Sequence, residues 1–188
     1  MTSSPPGQWP EKIIGKTRLI LELGDLTKSH AQAVVNAANP SLLGGAGVDG
    51  AIHREGGPAI LKECRALVAR IGRLQPGRAV ITTGGRLPAE NVIHTVGPIW
   101  RGGDKREADI LTSAYRESLT LADDMALQSI AFPSISTGAY GYPLVPAAEL
   151  ALQTVKQYLE GETGLSSVTF VLFSREVFDV YQGVLGKL

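Results

Sequence analysis

The stretch Ala33-Val34-Val35-Asn36-Ala37-Ala38-Asn39-Pro40-Ser41-Leu42-Leu43-Gly44-Gly45-Ala46-Gly47-Val48-Asp49-Gly50-Ala51-Ile52-His53 decides the architecture. It opens on a short β-branched run and passes through a cluster of four small residues. It ends in an apolar pattern of helical spacing that predicts one helix from Val48 to Ile71. Strand, glycine loop and helix in that order make up the repeating unit of an α/β domain.

The same alternation continues on both sides. Strands are predicted over Thr17 to Leu23, Ala33 to Asn36, Ala79 to Thr82, Asn91 to Val96, Ser129 to Phe132 and Ser167 to Phe173. Further helices are predicted over Lys105 to Leu127, Pro146 to Leu159 and Glu176 to Leu185. This order implies one mainly parallel sheet with helices on both faces. Leu19, Leu21 and Leu23 alternate with polar neighbours, which suits an edge strand; the later, apolar strands are expected at the centre. Ligands of such sheets bind beyond the carboxyl ends of the strands, so the loops after Leu23, Asn36, Val96, Phe132 and Phe173 are the ones to examine.

At 188 residues the chain has room for one well-packed core and no internal repeat. Residues 1–10, rich in Ser, Pro and Gly, are expected to form a loose tail, and residues 11–188 a single domain. Lys+Arg and Asp+Glu both count 18, and no basic run is present, which argues against a bulk nucleic-acid binder. Signal-peptide features and a membrane-length apolar run are both missing from the sequence. The single cysteine, Cys64, lies in a helical apolar pattern and reads as a small buried hydrophobe; with no disulfide available, a cytoplasmic setting is expected.

Four small residues before a helix let backbone N–H groups approach a ligand, and the positive end of the helix favours a pyrophosphate there. A tight turn with a helix cap would use the same glycines. Asn39 and Asp49 bracket the loop, and neither is needed to build it. Asp49 would serve as a cap, yet an anion in that role competes with phosphate, which turns the reading toward a sugar contact for both residues. Gly15-Lys16-Thr17 matches only the end of a P-loop, with Pro10 where the first glycine belongs and a strand following, which argues against a kinase. The dinucleotide-binding glycine spacing is absent as well.

Five blocks then occur in order: Gly24-Asp25-Leu26-Thr27, Val35 to Asn39, Gly44 to His53, Val92 to Pro98, and Ala131 to Pro143. Together they resemble the macro domain family, and within it the MacroD-type ADP-ribosyl-hydrolase branch. The resemblance implies a three-layer αβα fold with a mixed, mainly parallel six-stranded sheet and an ADP-ribose cleft at its top. It places Asp25 on the adenine amino group, in addition to or instead of capping Thr27, with the Leu26 N–H on the ring. Phe173 falls where an aromatic ring faces adenine, or is a plain core residue. Gly45, Ala46, Gly47 and Val48 would cradle the pyrophosphate from one side. Ser136, Thr137, Gly138 and Ala139 would wrap it from the other, with Tyr140 on the distal ribose.

The resemblance further implies that Asn39 and Asp49 are the catalytic pair in a metal-free, cofactor-free hydrolysis. A water held between them and a bound phosphate would attack, with either Asp49 or a substrate phosphate oxygen taking its proton. Expected substrates are O-acetyl-ADP-ribose and proteins carrying mono-ADP-ribose on Asp or Glu, met by a monomer. The alternative is a reader that binds ADP-ribose without turnover. No lysine lies between Lys28 and Lys62, and Cys64 has no ligand partner at metal spacing; His53 and His94 read as helix and core residues. Ala46 replaces a frequent glycine and would be strained if its φ had to be positive.

Overall fold

A computed structural model describes residues 9–188. The strands are β1 (Glu11–Ile14), β2 (Thr17–Leu23), β3 (Ala33–Ala37), β4 (Ala79–Thr83), β5 (Asn91–Thr95), β6 (Ser129–Phe132) and β7 (Ser167–Leu172). They form one sheet in the order β1-β2-β7-β6-β3-β5-β4. The strands from β2 to β5 in that order run parallel, while β1 and β4 close the two edges antiparallel to their neighbours.

The sheet therefore carries seven strands where the resemblance implied six. The addition is β1, which pairs with β2 through Ile14↔Thr17 and leaves Gly15-Lys16 as a two-residue hairpin turn. Its presence moves β2 away from the edge. Leu19 and Leu21 are fully buried, and Arg18, Ile20 and Glu22 lie on the hairpin's more open side. The apolar β4, expected at the centre, instead forms the opposite edge. Of the predicted tail, Trp9 packs edge-to-face on Phe178 and the Pro10 carbonyl accepts from the Leu21 N–H. The rest of that tail lies outside the described residues.

Period-two alternation assigns each strand's side chains to opposite layers. Val35, Ile93, Ile130, Phe132 and Phe170 face a core shared with helices α3 (Glu107–Asp124), α4 (Leu144–Leu159) and α5 (Arg175–Leu185). Val34, Val92, Ala131 and Val171 face a second core under α1 (Gly47–Gly56) and α2 (Pro58–Ile71). Burying each of these large side chains stabilises the fold by about 1.5–3 kcal/mol. The helix predicted from Val48 to Ile71 is thus two helices. Gly57 adopts φ 77°, its N–H caps the His53 carbonyl, and Pro58 starts the next helix with the φ it already holds. Among the described residues no helix is long and apolar enough to cross a membrane.

Candidate active site

The loops after all five parallel strands converge on one cleft of about 790 Å³. Asp25 and Leu26 come from the loop after β2, Asn39 and Gly45 to Asp49 from the loop after β3, and Gly97 from the loop after β5. Pro133 to Tyr140 follow β6, and Phe173 follows β7. Every residue that the sequence assigned to the ligand or the reaction lines this cleft. Arg54, on α1, lines it too and was not foreseen, because a surface arginine on a helix gives no signal in sequence.

The first loop is shaped by Asn39. Its Oδ1 accepts from the Ser41 N–H at 3.0 Å, and its Nδ2 donates to the Gly44 carbonyl at 2.9 Å. Helix α1 then begins without a side-chain cap, since Ala46 stands at that position. Its first N–H groups point at the cleft with their positive dipole end. Ala46 has φ −97°, an extended backbone open to any residue, so the expected strain does not arise. Asp49 caps nothing. It lies in the first turn of α1, 4% exposed, turned toward the sheet. A Cβ on Gly45 would sit 3.1 Å from the Asp49 carboxylate and 3.4 Å from the Asn39 amide. A side chain there would press on both groups and push the Asp49 carboxylate aside by a few tenths of an ångström.

A residue that sequence reasoning missed holds Asp49. Asn36, fully buried at the end of β3, donates from Nδ2 to Asp49 Oδ1 at 2.7 Å and lies 3.1 Å from His94 Nδ1. His53 Nε2 stands 3.4 Å from the same Asp49 oxygen. Burial pushes the Asp49 carboxyl above its ordinary range, with the Asn36 bond and His53 pulling in the opposite direction. That is the direction of shift that suits a carboxylate acting as a general base. Tyr140 faces this carboxyl, and burial together with the Asp49 charge raises its phenol pKa.

His53, Cys64 and His94 bring donor atoms within 4.8 Å of one another, a cluster that the sequence spacing had not offered Cys64. Burial, Asp49 and Glu63 push the Cys64 thiol up to about 11, and burial followed by His53 pushes His94 down to about 3. The thiol therefore stays protonated and the imidazole neutral. Both His94 ring nitrogens already have polar neighbours, Asn36 on one side and Thr82 at 2.9 Å on the other.

The second loop is tied down from beneath. Tyr115, from α3, accepts from the Ile135 N–H at 3.2 Å, and Tyr181, from α5, donates to Ser134 Oγ at 2.9 Å. Ser136 is held at φ 65°, an uncommon conformation for a residue with a side chain, and its hydroxyl is buried without a partner among the described residues. The Thr137 hydroxyl turns back to Ser134, so this residue's contribution to the cleft is its backbone. At the far end, Asp25 Oδ1 caps Thr27, accepting from its N–H at 2.9 Å. Phe173 is 85% exposed at the rim, which rules out the core role.

An αβα domain whose two glycine loops meet over a buried carboxylate matches one family. The macro domain profile fits residues 35–151, and the chain belongs to the macro domain family. An O-acetyl-ADP-ribose deacetylase of Enterobacter cloacae subsp. cloacae is 53% identical over 86% of this chain and 90% of its own length. A macro domain-containing protein of Streptomyces nogalater is 53% identical, covering 90% of this chain and 93% of the relative. Among solved structures, an Oceanobacillus iheyensis macrodomain variant with ADPR superposes with TM-score 0.92 at 43% identity, over 96% of this chain and 98% of that one. A Trypanosoma brucei macrodomain in complex with ADP-ribose gives TM-score 0.81 at 41% identity, covering 89% of this chain and 69% of that one.

Proposed function

We propose that this protein binds ADP-ribose and hydrolyses its carboxylate esters, acting as an O-acetyl-ADP-ribose deacetylase and also releasing mono-ADP-ribose from Asp and Glu side chains. One observation carries the proposal: Asp49 is a buried carboxylate with a raised pKa, held by Asn36 and placed next to Asn39 at the mouth of a helix that no side chain caps. A reader would need Asp49 for structure alone, yet it caps no helix end. The naming of several relatives as O-acetyl-ADP-ribose deacetylases supports the same reading.

The two loops hold the pyrophosphate through backbone N–H groups, with Asp25 and Leu26 on adenine, Phe173 against its face, and Tyr140 on the distal ribose. Fixing the ribose in this way supplies orientation, the larger share of the acceleration. Asp49 then aligns a water and takes its proton as the water adds to the ester, with Asn39 donating from its amide to a ribose hydroxyl. The bond from the acyl carbon to the ribose oxygen then breaks, and that oxygen takes the proton back from Asp49, leaving ADP-ribose and a free carboxylate, either acetate or the protein side chain. Both substrate types are carboxylate esters of the same ribose, so one site serves both.

The test is incubation with a protein mono-ADP-ribosylated on Glu and, separately, with O-acetyl-ADP-ribose, following ADP-ribose by chromatography. Release from both is expected. Tight ADP-ribose binding with no release from either substrate would make the protein a reader, and release from O-acetyl-ADP-ribose alone would remove the protein substrates.

A further inference from the structure

Behind Asp49 runs a line of polar side chains that the cleft does not reach. Asn36, His94 and Thr82 stand on the adjacent strands β3, β5 and β4, and each is at most 3% exposed. Asn36 and His94 are direct register partners, and Thr82 sits diagonally across, two residues from Val80, the partner of His94. All three project under α1 and α2, on the same face of the sheet as Val34 and Val92. Three polar groups side by side in a core need a reason.

With Asp49 ionised, their hydrogen bonds have one consistent arrangement. Turning the Asn36 amide over would set its oxygen against Asp49 Oδ1 at 2.7 Å, oxygen to oxygen, so Nδ2 faces the carboxylate. The second N–H of that amide then meets His94 Nδ1 at 3.1 Å, which must offer a lone pair. A neutral imidazole accepting at Nδ1 carries its proton on Nε2. That proton points at Thr82 Oγ1, 2.9 Å away, whose own hydrogen goes to the Thr83 carbonyl at 3.0 Å. Donor meets acceptor at every step from the Thr83 carbonyl to the carboxylate.

The geometry points to Thr82 and His94 as positioning residues for the proposed hydrolysis: the Thr82 hydroxyl keeps the His94 proton on Nε2, the bare Nδ1 orients the Asn36 amide, and Asn36 presents an N–H to Asp49. Neither residue lines the cleft, so the line acts on the carboxylate and not on ligand binding. Its kinetic consequence rests on the proposed hydrolysis, while the tautomer does not. Other groups facing Asp49 are His53 on its own helix, Tyr140 from the second loop and Cys64 from α2. Cys64 Sγ also lies 3.7 Å from His94 Nε2, the nitrogen that faces Thr82.

Two-bond proton–nitrogen NMR of the labelled protein should show His94 neutral with its proton on Nε2 from about pH 5 to 8. Thr82→Val should mix the tautomers and lower kcat about five- to tenfold, the loss of about one well-made hydrogen bond, with KM and ADP-ribose affinity unchanged. The acid limb of the pH–rate profile should also move to higher pH, because the Asn36 donation that favours ionised Asp49 is weakened. Thr82→Ser should restore all three properties. A wild-type proton on Nδ1, or a Thr82→Val enzyme with wild-type kcat and pH profile, would overturn the assignment. If the wild-type protein releases no ADP-ribose, the hydrolysis falls on its own. The relay is then judged by carbon NMR of the Asp49 carboxyl, where an upward pKa shift in Thr82→Val supports it and an unmoved pKa overturns it.

Discussion

Burial makes the ionised form of Asp49 costly, and Asn36 and His53 offset only part of that cost. A carboxyl whose pKa rises on folding contributes its full share of stability below its unfolded value and loses it as the pH climbs through the folded value. At neutral pH the native protein therefore carries a penalty at this residue. Asp49→Asn removes the charge while keeping an oxygen for the Asn36 N–H. Its Tm is expected to exceed wild type at pH 7, with the gap closing toward about pH 4, where the unfolded carboxyl also protonates. A variant less stable than wild type at pH 7, by calorimetry, would show that the charge is stabilised in place. Residues such as Asn39, Asp49 and Tyr140 were legible in the sequence because they sit in or beside glycine loops. Asn36, Thr82 and His94 were not. Their contacts run across the register of three strands, over separations of up to 58 residues, and no local spacing encodes them.

Glu107 opens α3 in a role that its sequence context hides. It is 2% exposed, and its carboxylate accepts from the N–H groups of Arg101 at 2.9 Å, Gly103 at 3.2 Å and Lys105 at 2.6 Å. The loop so gathered carries Trp100, whose N–H donates to the Tyr140 carbonyl and whose ring packs on Tyr142. One side chain thus braces the second glycine loop from outside. Burial opposes ionisation of Glu107, but the backbone donors outweigh it and hold the carboxyl below its ordinary value. This contribution is complete above the unfolded pKa and disappears as the pH falls through the folded one. Glu107→Gln should flatten the acid side of the Tm–pH curve and weaken ADP-ribose binding a few-fold, about the effect of loosening one loop anchor. Tm measured from about pH 3 to 7 decides it, and an unchanged acid slope would count against the brace. At this scale the elements themselves were readable from their periodicity. The edge hairpin β1–β2 and the break at Gly57 were not. The Gly15-Lys16 turn resembles part of a phosphate loop, and apolar residues at helical spacing continue on both sides of Gly57 and Pro58, which divide the helix.

Across the whole molecule, 18 basic and 18 acidic residues leave a formal net charge of zero, while the proposed ligand is a doubly anionic pyrophosphate. Backbone N–H groups of two loops and a helix end supply the complement, and among the described residues Arg54 is the one cation lining the cleft. Such dipoles act at contact distance, so salt screening should weaken binding only slightly. Raising KCl tenfold is expected to reduce ADP-ribose affinity no more than about threefold by titration calorimetry. A much steeper dependence would mean that lysine and arginine side chains hold the phosphates. The fold class followed from the alternation of strands and helices, and the ligand cleft from where its loops fall. The chemistry depends on one carboxylate within it. The most direct measurement is the single-turnover rate of ADP-ribose formation from O-acetyl-ADP-ribose by wild type and Asp49→Ala, alongside their ADP-ribose affinities. The expected result is hydrolysis by wild type, a loss of at least about a hundredfold in the variant, and affinities within a few-fold of each other. Equal rates in the two proteins would contradict the role assigned to Asp49.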